Sequence, residues 1–126
     1  MPNKLAKRRH QAYLNQSHRC YYCKFEMWEC DPKGFATTHK ISLRQAQFFK
    51  CTAEHLEARM DGGSDAPSNI VAACAFCNRT RHKIKNPPDP EEMRRYVEKR
   101  LAKGLWNASV FNRPAQHTRA LRPCRC

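Results

Sequence analysis

Two widely separated pairs of cysteines constrain the fold of this chain more than any other feature of its sequence. Cys20 and Cys23 form one pair with two residues between them, and Cys74 and Cys77 form a second, with 50 residues between Cys23 and Cys74. Two thiolate pairs of this spacing can close a tetrahedral four-cysteine zinc site. Because the pairs lie far apart, we expect the metal to tie an N-terminal segment to a later element rather than to fold one short finger.

Two other interpretations of the cysteines were weighed against the zinc site. If the cysteines were only reduced buried thiols, the repeated spacing would be a coincidence. A thioredoxin-like redox motif opens a helix after a core strand, and neither pair is predicted to do so. The chain also has need of a metal, since it has 126 residues of which 40% are apolar. A domain this short and polar often requires a metal or a cross-link. Of the remaining cysteines, Cys30 and Cys51 are interpreted as packed thiols. Cys124 and Cys126 could bind a metal or have no function, and the second interpretation is preferred.

The charge of the chain is distributed unevenly around its centre. The net charge is +13, with +7 over residues 1–51, −3 over residues 52–78 and +9 over residues 79–126. Two basic flanks around an acidic centre suit a polyanion held over a site that binds a cation. A generic basic surface is the alternative interpretation.

The first half of the chain is predicted to contain two helices. Residues 3–16 mix apolar and basic residues and favour a short amphipathic helix capped by Asn3. Residues 26–36 are predicted to be irregular, with a turn at residues 31–34, and a second helix is predicted over residues 38–50.

The centre of the chain predicts a compact strand, loop, strand and helix. We expect strands over residues 51–58 and 69–74, a loop over residues 61–68 that is dense in turn formers, and a helix over residues 77–85. This order makes a ββα unit.

A last helix is predicted from Pro90 to Lys103, capped by Asp89 and ended by Gly104. The expected organisation is therefore a basic N-terminal helix (1–19), a domain with the zinc site (20–105) and a basic, mobile C-terminal tail (106–126).

A set of residues within the ββα unit resembles the HNH endonuclease family. That family has an acidic residue or His followed by His, a Gly-containing loop, a central Asn, and a cysteine pair followed by His or Asn. Here the corresponding residues are Glu54-His55, Gly62-Gly63, Asn69 and Cys74 to Asn78, with fourteen positions from His55 to Asn69 and nine from Asn69 to Asn78. The resemblance covers about residues 20–85. It implies an α+β fold, a small ββα-metal unit with flanking helices that a four-cysteine zinc site staples.

The resemblance also implies roles for these residues. His55 would be the general base, and Glu54 and Asn78 would hold a divalent cation. His82 lies four residues after Asn78, on the same helical face, and is a third candidate ligand. Asn69 would bond the backbone around His55 and orient its ring.

The chemistry of these side chains agrees with that assignment. A neutral imidazole can take a proton from water at physiological pH, and a divalent cation can stabilise the charge that develops on a phosphate. Oxygen ligands favour Mg²⁺ or Mn²⁺, whereas an engaged His82 would shift the preference towards Mn²⁺, Ni²⁺ or Zn²⁺. The candidate phosphate contacts are Arg59, Arg79, Arg81 and Lys83.

The resemblance implies a DNA endonuclease that leaves 5′-phosphate and 3′-hydroxyl ends. Two alternatives stay open: a zinc-stapled nucleic-acid-binding module without catalysis, and an RNA-directed or toxin-like nuclease. Two departures bear on the choice, because a Glu precedes the base and an Asn stands where His is also found at position 78.

The expected location is cytoplasmic, without a membrane partner. The N-terminus shows no apolar stretch of the kind that a signal peptide carries, and no apolar run approaches the roughly 18 residues of a membrane span. Target sequence and oligomeric state are not predicted.

Overall fold

A computed structural model describes residues 3–107. At its centre is a two-stranded antiparallel hairpin of β1 (Cys51–His55) and β2 (Ile70–Cys74). The strands pair from Cys51 with Cys74 at one end to His55 with Ile70 at the other. Helix α4 (Ala75–Lys83) follows β2 without a connecting loop. The predicted ββα order is confirmed, with a β1 that ends earlier and a helix that begins earlier than expected.

The N-terminal helix α1 (Lys4–Asn15) packs against this hairpin. Asn3 caps it as predicted, since its side chain accepts a hydrogen bond from the Ala6 amide at 2.8 Å. Tyr13 is 1% exposed and donates its hydroxyl to the Met27 carbonyl. Just after the helix, the amide side chain of Gln16 bonds both the N–H and the carbonyl of Ala72. This side chain occupies the outer edge of β2 and fixes the helix to the hairpin.

The segment between α1 and β1 differs from the prediction. Residues 32–39, expected to be mostly irregular, form helix α2 (Pro32–His39). Asp31 caps α2 by accepting a hydrogen bond from the Gly34 amide at 2.9 Å. Pro32 occupies the first helical position, where the fixed φ angle of proline suits a helix. The supposed turn at residues 31–34 is therefore a helix start.

The predicted second helix over residues 38–50 is also wrong as a single element. Lys40 adopts a left-handed conformation with φ of 54° and ends α2. A capping box of Ser42 and Gln45 then starts the short helix α3 (Leu43–Ala46), which continues as a 3₁₀ turn over Gln47–Phe49. One helix ends and another begins here, because the capping box provides hydrogen bonds for the free backbone N–H groups at the start of α3.

Helix α5 (Pro90–Ala102) forms as predicted. The Asp89 side chain accepts from the Glu92 amide at 2.9 Å, and Gly104 has φ of 68° just beyond the last turn. Trp106, placed in the tail by the sequence, is instead only 4% exposed. It packs edge-to-face on Phe76 and Tyr96. The rest of the predicted tail, residues 108–126, lies outside the described residues.

The buried residues form two clusters. The larger surrounds the four paired cysteines and includes Tyr13, Tyr22, Met93 and Val97. The smaller joins α2, α3 and Trp28. The fold is α+β, as predicted, and within residues 3–107 no helix is long and apolar enough to cross a membrane.

Candidate metal centres and active site

The two cysteine pairs meet in one buried cluster. The Sγ atoms of Cys20, Cys23, Cys74 and Cys77 all lie within 4.8 Å of one another, and those of Cys23 and Cys74 are 3.9 Å apart. Sulfurs bound tetrahedrally to zinc at 2.3 Å lie about 3.8 Å from each other. The donor set and the spacing therefore fit a zinc ion, as the sequence predicted.

The cluster also supplies the hydrogen-bond donors that thiolates require. The backbone amides of Tyr22 and Cys74 point at the Cys20 sulfur, at 3.4 and 3.3 Å. The indole N–H of Trp106 lies 3.4 Å from the Cys77 sulfur. Negative charge on the sulfurs is thus partly compensated before any metal is considered.

The ionisation of the cluster follows from the closeness of its thiols. Burial raises the pKa of the Cys20 thiol, but hydrogen bonds from the other three cysteines outweigh it and lower that pKa well below its usual range. Burial and the same neighbours raise the pKa of Cys74 well above it. Four sulfurs this close cannot all ionise without a cation between them, which is the condition that a zinc ion satisfies.

The zinc cluster joins distant parts of the fold. Cys20 and Cys23 lie in the loop after α1, Cys74 ends β2 and caps α4, and Cys77 lies in the first turn of α4. A metal here holds the N-terminal segment against the ββα unit.

Glu54 lies near the end of β1 with its carboxylate buried. The residue is 1% exposed, and its Oε1 is 2.8 Å from Nε2 of His82 on α4. The Tyr22 hydroxyl donates to its Oε2 at 3.2 Å, and an Arg81 nitrogen lies 3.4 Å from the same oxygen. Two of the three predicted cation ligands are therefore already in contact.

Asn78, the third predicted ligand, lies one turn before His82 on α4. Its Nδ2 donates to Oγ1 of Thr52 at 3.0 Å and to the carbonyl of Ala53 at 3.3 Å. Within residues 3–107 no hydrogen bond to its Oδ1 is found. The amide is thus oriented by β1, with its oxygen as the atom free to bind a cation.

His55 ends β1, and the loop between the strands holds its ring. Its Nε2 is 2.7 Å from Oδ1 of Asp65, and since a carboxylate only accepts, the ring nitrogen donates. Arg59 donates to both oxygens of Asp65 at 3.0 Å. The Arg59 Nε also lies 3.3 Å from His55 Nε2, but that ring nitrogen is already the donor in the shorter contact. In the neutral ring, the other nitrogen, Nδ1, is then the acceptor.

The charge of Asp65 is favoured by these two neighbours. The hydrogen bond from His55 is the largest cause lowering the pKa of Asp65, and Arg59 lowers it further, against a smaller effect of desolvation. The carboxylate stays ionised at neutral pH and holds the ring of His55 in one orientation.

Asn69 braces the loop that carries Asp65. Its Oδ1 accepts from the Glu57 amide at 2.8 Å, and its Nδ2 donates to the carbonyls of Glu57 and Ser64 at 3.0 and 2.7 Å. A glycine at position 63 lets the loop pass close to the backbone of Glu57, because a Cβ at this position would lie 1.8 Å from the Glu57 carbonyl oxygen. The side chain of Asn69 thus bonds backbone two residues after His55, as its predicted role requires.

A model of the HNH endonuclease family matches residues 20–83, which are 64 of the 126 residues. The chain belongs to the HNH endonuclease family. The matched region, here called the HNH unit, contains both cysteine pairs and every predicted cation ligand. Comparisons with curated proteins and with solved structures give no match. Membership places the chain in a nuclease family that acts on nucleic acids.

The four predicted phosphate contacts of the HNH unit are in different environments. Arg59, Arg79 and Lys83 are exposed. Arg81 is only 5% exposed, and its guanidinium donates to the carbonyls of Pro88, His55 and Leu56. This finding corrects the prediction for Arg81. Its guanidinium is used up in holding the end of β1 to the connection before α5, so that it is not available to a phosphate.

Three residues of the site were missed by the sequence analysis. Asp65 lies in the predicted turn-rich loop and Thr52 in a predicted strand, and no role was predicted for either or for Tyr22. Their contacts depend on how the loop and the cysteine turn fold back onto β1. The sequence signal for Asp65 is weak, because the loop over residues 61–68 contains two carboxylates, Asp61 and Asp65.

An open cleft of about 620 Å³ borders His82, one of the three predicted cation ligands. His82 and Arg81 line it on one side, with Leu56 and Met60 from the loop after β1 on the other. The exposed side of His82 therefore faces a space large enough for part of a polymer.

Proposed function

We propose that this chain is a metal-dependent DNA endonuclease that hydrolyses phosphodiester bonds to 5′-phosphate and 3′-hydroxyl ends. The observation that carries the proposal is the end of β1. There the adjacent residues Glu54 and His55 contact, respectively, a histidine at 2.8 Å and a carboxylate at 2.7 Å. One residue belongs to a cation-binding group, and the next is an oriented imidazole.

His55 is the general base in this proposal. Its Nε2–H is donated to Asp65, which leaves the Nδ1 lone pair to take the proton of a water that attacks phosphorus. Asp65 keeps the ring in this tautomer and stabilises the positive charge that the ring acquires. Asn69 keeps Asp65 in place by bonding both sides of its loop.

Glu54, Asn78 and His82 would hold the divalent cation. Neighbouring ligand atoms on an octahedral cation, each about 2.0–2.1 Å from it, lie about 2.9 Å apart, and Glu54 Oε1 and His82 Nε2 are 2.8 Å apart. When bound, the cation supplies Lewis acidity to the phosphate and the leaving oxygen. Two oxygen ligands and one nitrogen suit Mg²⁺ or Mn²⁺.

Substrate phosphates would be held by the exposed cations of the HNH unit. Arg79 and Lys83 lie on α4 beside the cation ligands, and Arg59 lies beside His55. Arg59 is already paired with Asp65, so its contact with a phosphate would be shared with that carboxylate.

Cleavage of supercoiled plasmid tests this function. The wild type is expected to nick or linearise plasmid with Mg²⁺ or Mn²⁺, and His55→Ala is expected to lower kcat about 10²–10⁴-fold. His10→Ala is the matched control, because His10 also contacts a carboxylate, that of Glu29, at 2.9 Å. DNA ligase should reseal the nicks without prior phosphorylation, as the proposed ends require.

A zinc-stapled binding module without turnover is the second candidate. The observation in its favour is Glu54, whose carboxylate is buried and hydrogen-bonded by Tyr22 and His82. Wild-type protein that binds DNA yet leaves plasmid intact with Mg²⁺, Mn²⁺, Ni²⁺ and Zn²⁺ would establish this candidate and refute the endonuclease.

A further inference from the structure

Helix α1 lies outside the HNH unit and is strongly basic. Residues 4–15 contain four Lys or Arg and no acidic residue. One face carries residues three or four positions apart, which a helix stacks into a single row. This row, called the α1 stripe below, consists of Lys4, Lys7, Arg8, Gln11 and Asn15.

The positive charges of α1 fall into two groups. Arg9 and His10 face the buried carboxylate of Glu29, at 3.7 and 2.9 Å. Within residues 3–107, Lys4, Lys7 and Arg8 form no ion pair, and the Nε of Arg8 is buried without a hydrogen-bond partner. Three cations therefore lie on one face with no carboxylate of residues 3–107 paired to them, and clustered positive charge attracts polyanions.

The α1 stripe forms one wall of a groove. The groove has a volume of about 320 Å³, and Pro67 and Ile70 line its other side. At its far end the side chain of Gln11 donates to that of Asn15 at 3.1 Å. Lysine, arginine and side-chain amides are the groups that most often contact phosphate and sugar in nucleic-acid complexes.

The groove adjoins the proposed catalytic base. Ile70 is paired directly with His55 in the hairpin, and directly paired residues project on the same face of a sheet. Pro67 lies between Asp65 and Asn69, the two residues that hold His55 and its loop. The α1 stripe and His55 therefore lie on the same side of the hairpin.

We propose that the α1 stripe binds the phosphate backbone of duplex DNA and so holds the substrate alongside His55. The inference takes its substrate class from the proposed function. It adds a second contact surface, on an element that the HNH unit does not include, to the cations on α4 and at Arg59.

The test is the salt dependence of DNA binding, measured without cleavage. The full chain carrying His55→Ala is titrated onto a fluorescent 20-base-pair duplex between 50 and 200 mM NaCl, without chelator, so that zinc is retained. The stripe variant adds Lys4→Gln, Lys7→Gln and Arg8→Gln, since Gln keeps helix propensity. The control variant adds Arg95→Gln, Lys99→Gln and Lys103→Gln, three exposed cations on one face of α5 and just beyond its end.

Both variants remove two Lys and one Arg, so they change net charge equally. The slope of log affinity against log salt is negative, and the stripe variant should reduce its magnitude by about 0.9 for each lost phosphate contact, up to about 2.7. The control variant should change the magnitude of the slope by less than about 0.9, the value that corresponds to one phosphate contact. Circular dichroism and zinc content check that both remain folded.

Three results would overturn the inference: an unchanged slope in the stripe variant, equal changes in both variants, or no DNA binding by the parent protein. The outcome is separable from that of the proposed function. If the stripe variant alone loses affinity while the wild type never cuts plasmid, the α1 surface stands and the endonuclease fails.

Discussion

The four-cysteine cluster and the end of β1 are two sites built from similar parts in opposite ways. Among residues 3–107, the cysteines of the cluster are buried, and their sulfurs contact one another and N–H donors. At the end of β1, Glu54 is equally buried, but its partner His82 is 38% exposed and borders a cleft. The first site is closed and can only hold the fold, whereas the second opens on one side to solvent, as a site that exchanges ligands must.

Under the proposed function, the closed site serves stability alone, whereas the open site serves the chemistry and, through buried Glu54, stability as well. A closed site can be saturated with hydrogen bonds at no cost to function. The open site keeps an oxygen, Oδ1 of Asn78, to which none of the described residues donates a hydrogen bond. Substitutions in the two sites should therefore have different effects.

Cys74→Ser should abolish folding. Cys74 supplies a metal ligand and also caps α4 through its sulfur, which accepts from the Cys77 amide at 3.4 Å. Structural zinc contributes apparent binding free energies of about 10–16 kcal/mol to small zinc domains, more than such a domain has in reserve. Zinc per chain should fall below one, and circular dichroism should show loss of helix. Cys51→Ala is the control, and it should keep one zinc.

Glu54→Gln should damage both stability and activity, because Glu54 is the buried residue of the open site. The variant leaves the guanidinium of Arg81 without its ionic partner. We expect a loss of about 1–3 kcal/mol, or roughly 5–20 °C in Tm, with zinc content unchanged and plasmid cleavage lost. Glu57→Gln, at an exposed carboxylate in the same segment, should do neither. Equal Tm values for the two variants would show that the Glu54 contacts are unimportant to the fold.

Asp65→Asn should affect catalysis while leaving the fold intact. The variant keeps a hydrogen-bond acceptor for His55 but removes the negative charge that stabilises the protonated ring. We expect kcat to fall roughly 10–100-fold, as for other groups that orient a functional histidine, with KM for plasmid little changed and Tm within a few degrees. Asp61→Asn, in the same loop, should have no such effect. A rise in KM instead would assign Asp65 to substrate binding.

Cys51 should be inert, in contrast to the cluster cysteines beside it. Burial raises the pKa of its thiol to about 12, so it stays protonated in the folded chain at pH 8–9. In the unfolded chain the thiol ionises near pH 9, and rising pH above that value therefore favours unfolding through this group. Mass spectrometry after iodoacetamide treatment at pH 8 should find Cys51 unmodified in native protein and modified in urea. Rapid native labelling would contradict the closed packing around it.

Much of the frame of this protein follows from local sequence. Asn3 and Asp89 cap their helices as predicted because the cap needs only one side chain and the next turn of backbone. The ββα order also followed from short patterns. The structure of residues 31–50 was not predicted correctly, because their apolar residues resemble one helical run. The signals that divide this run are short: Asp31-Pro32 at the start of α2, the left-handed Lys40 and the capping box at Ser42.

The sequence by itself determined which residues belong together as metal ligands, because the spacing of Cys20, Cys23, Cys74 and Cys77 leaves few other solutions. It also determined the family. Only the tertiary structure decided what surrounds the end of β1. Asp65 contacts His55 because of the path that the loop takes between the strands. Arg81 is buried at the end of β1 because of the way α4 packs. The spacing of residues in the sequence encodes neither contact. The tertiary structure likewise decides that α1 packs on the side of the hairpin where His55 lies, because the sequence of α1 shows only that one of its faces is basic.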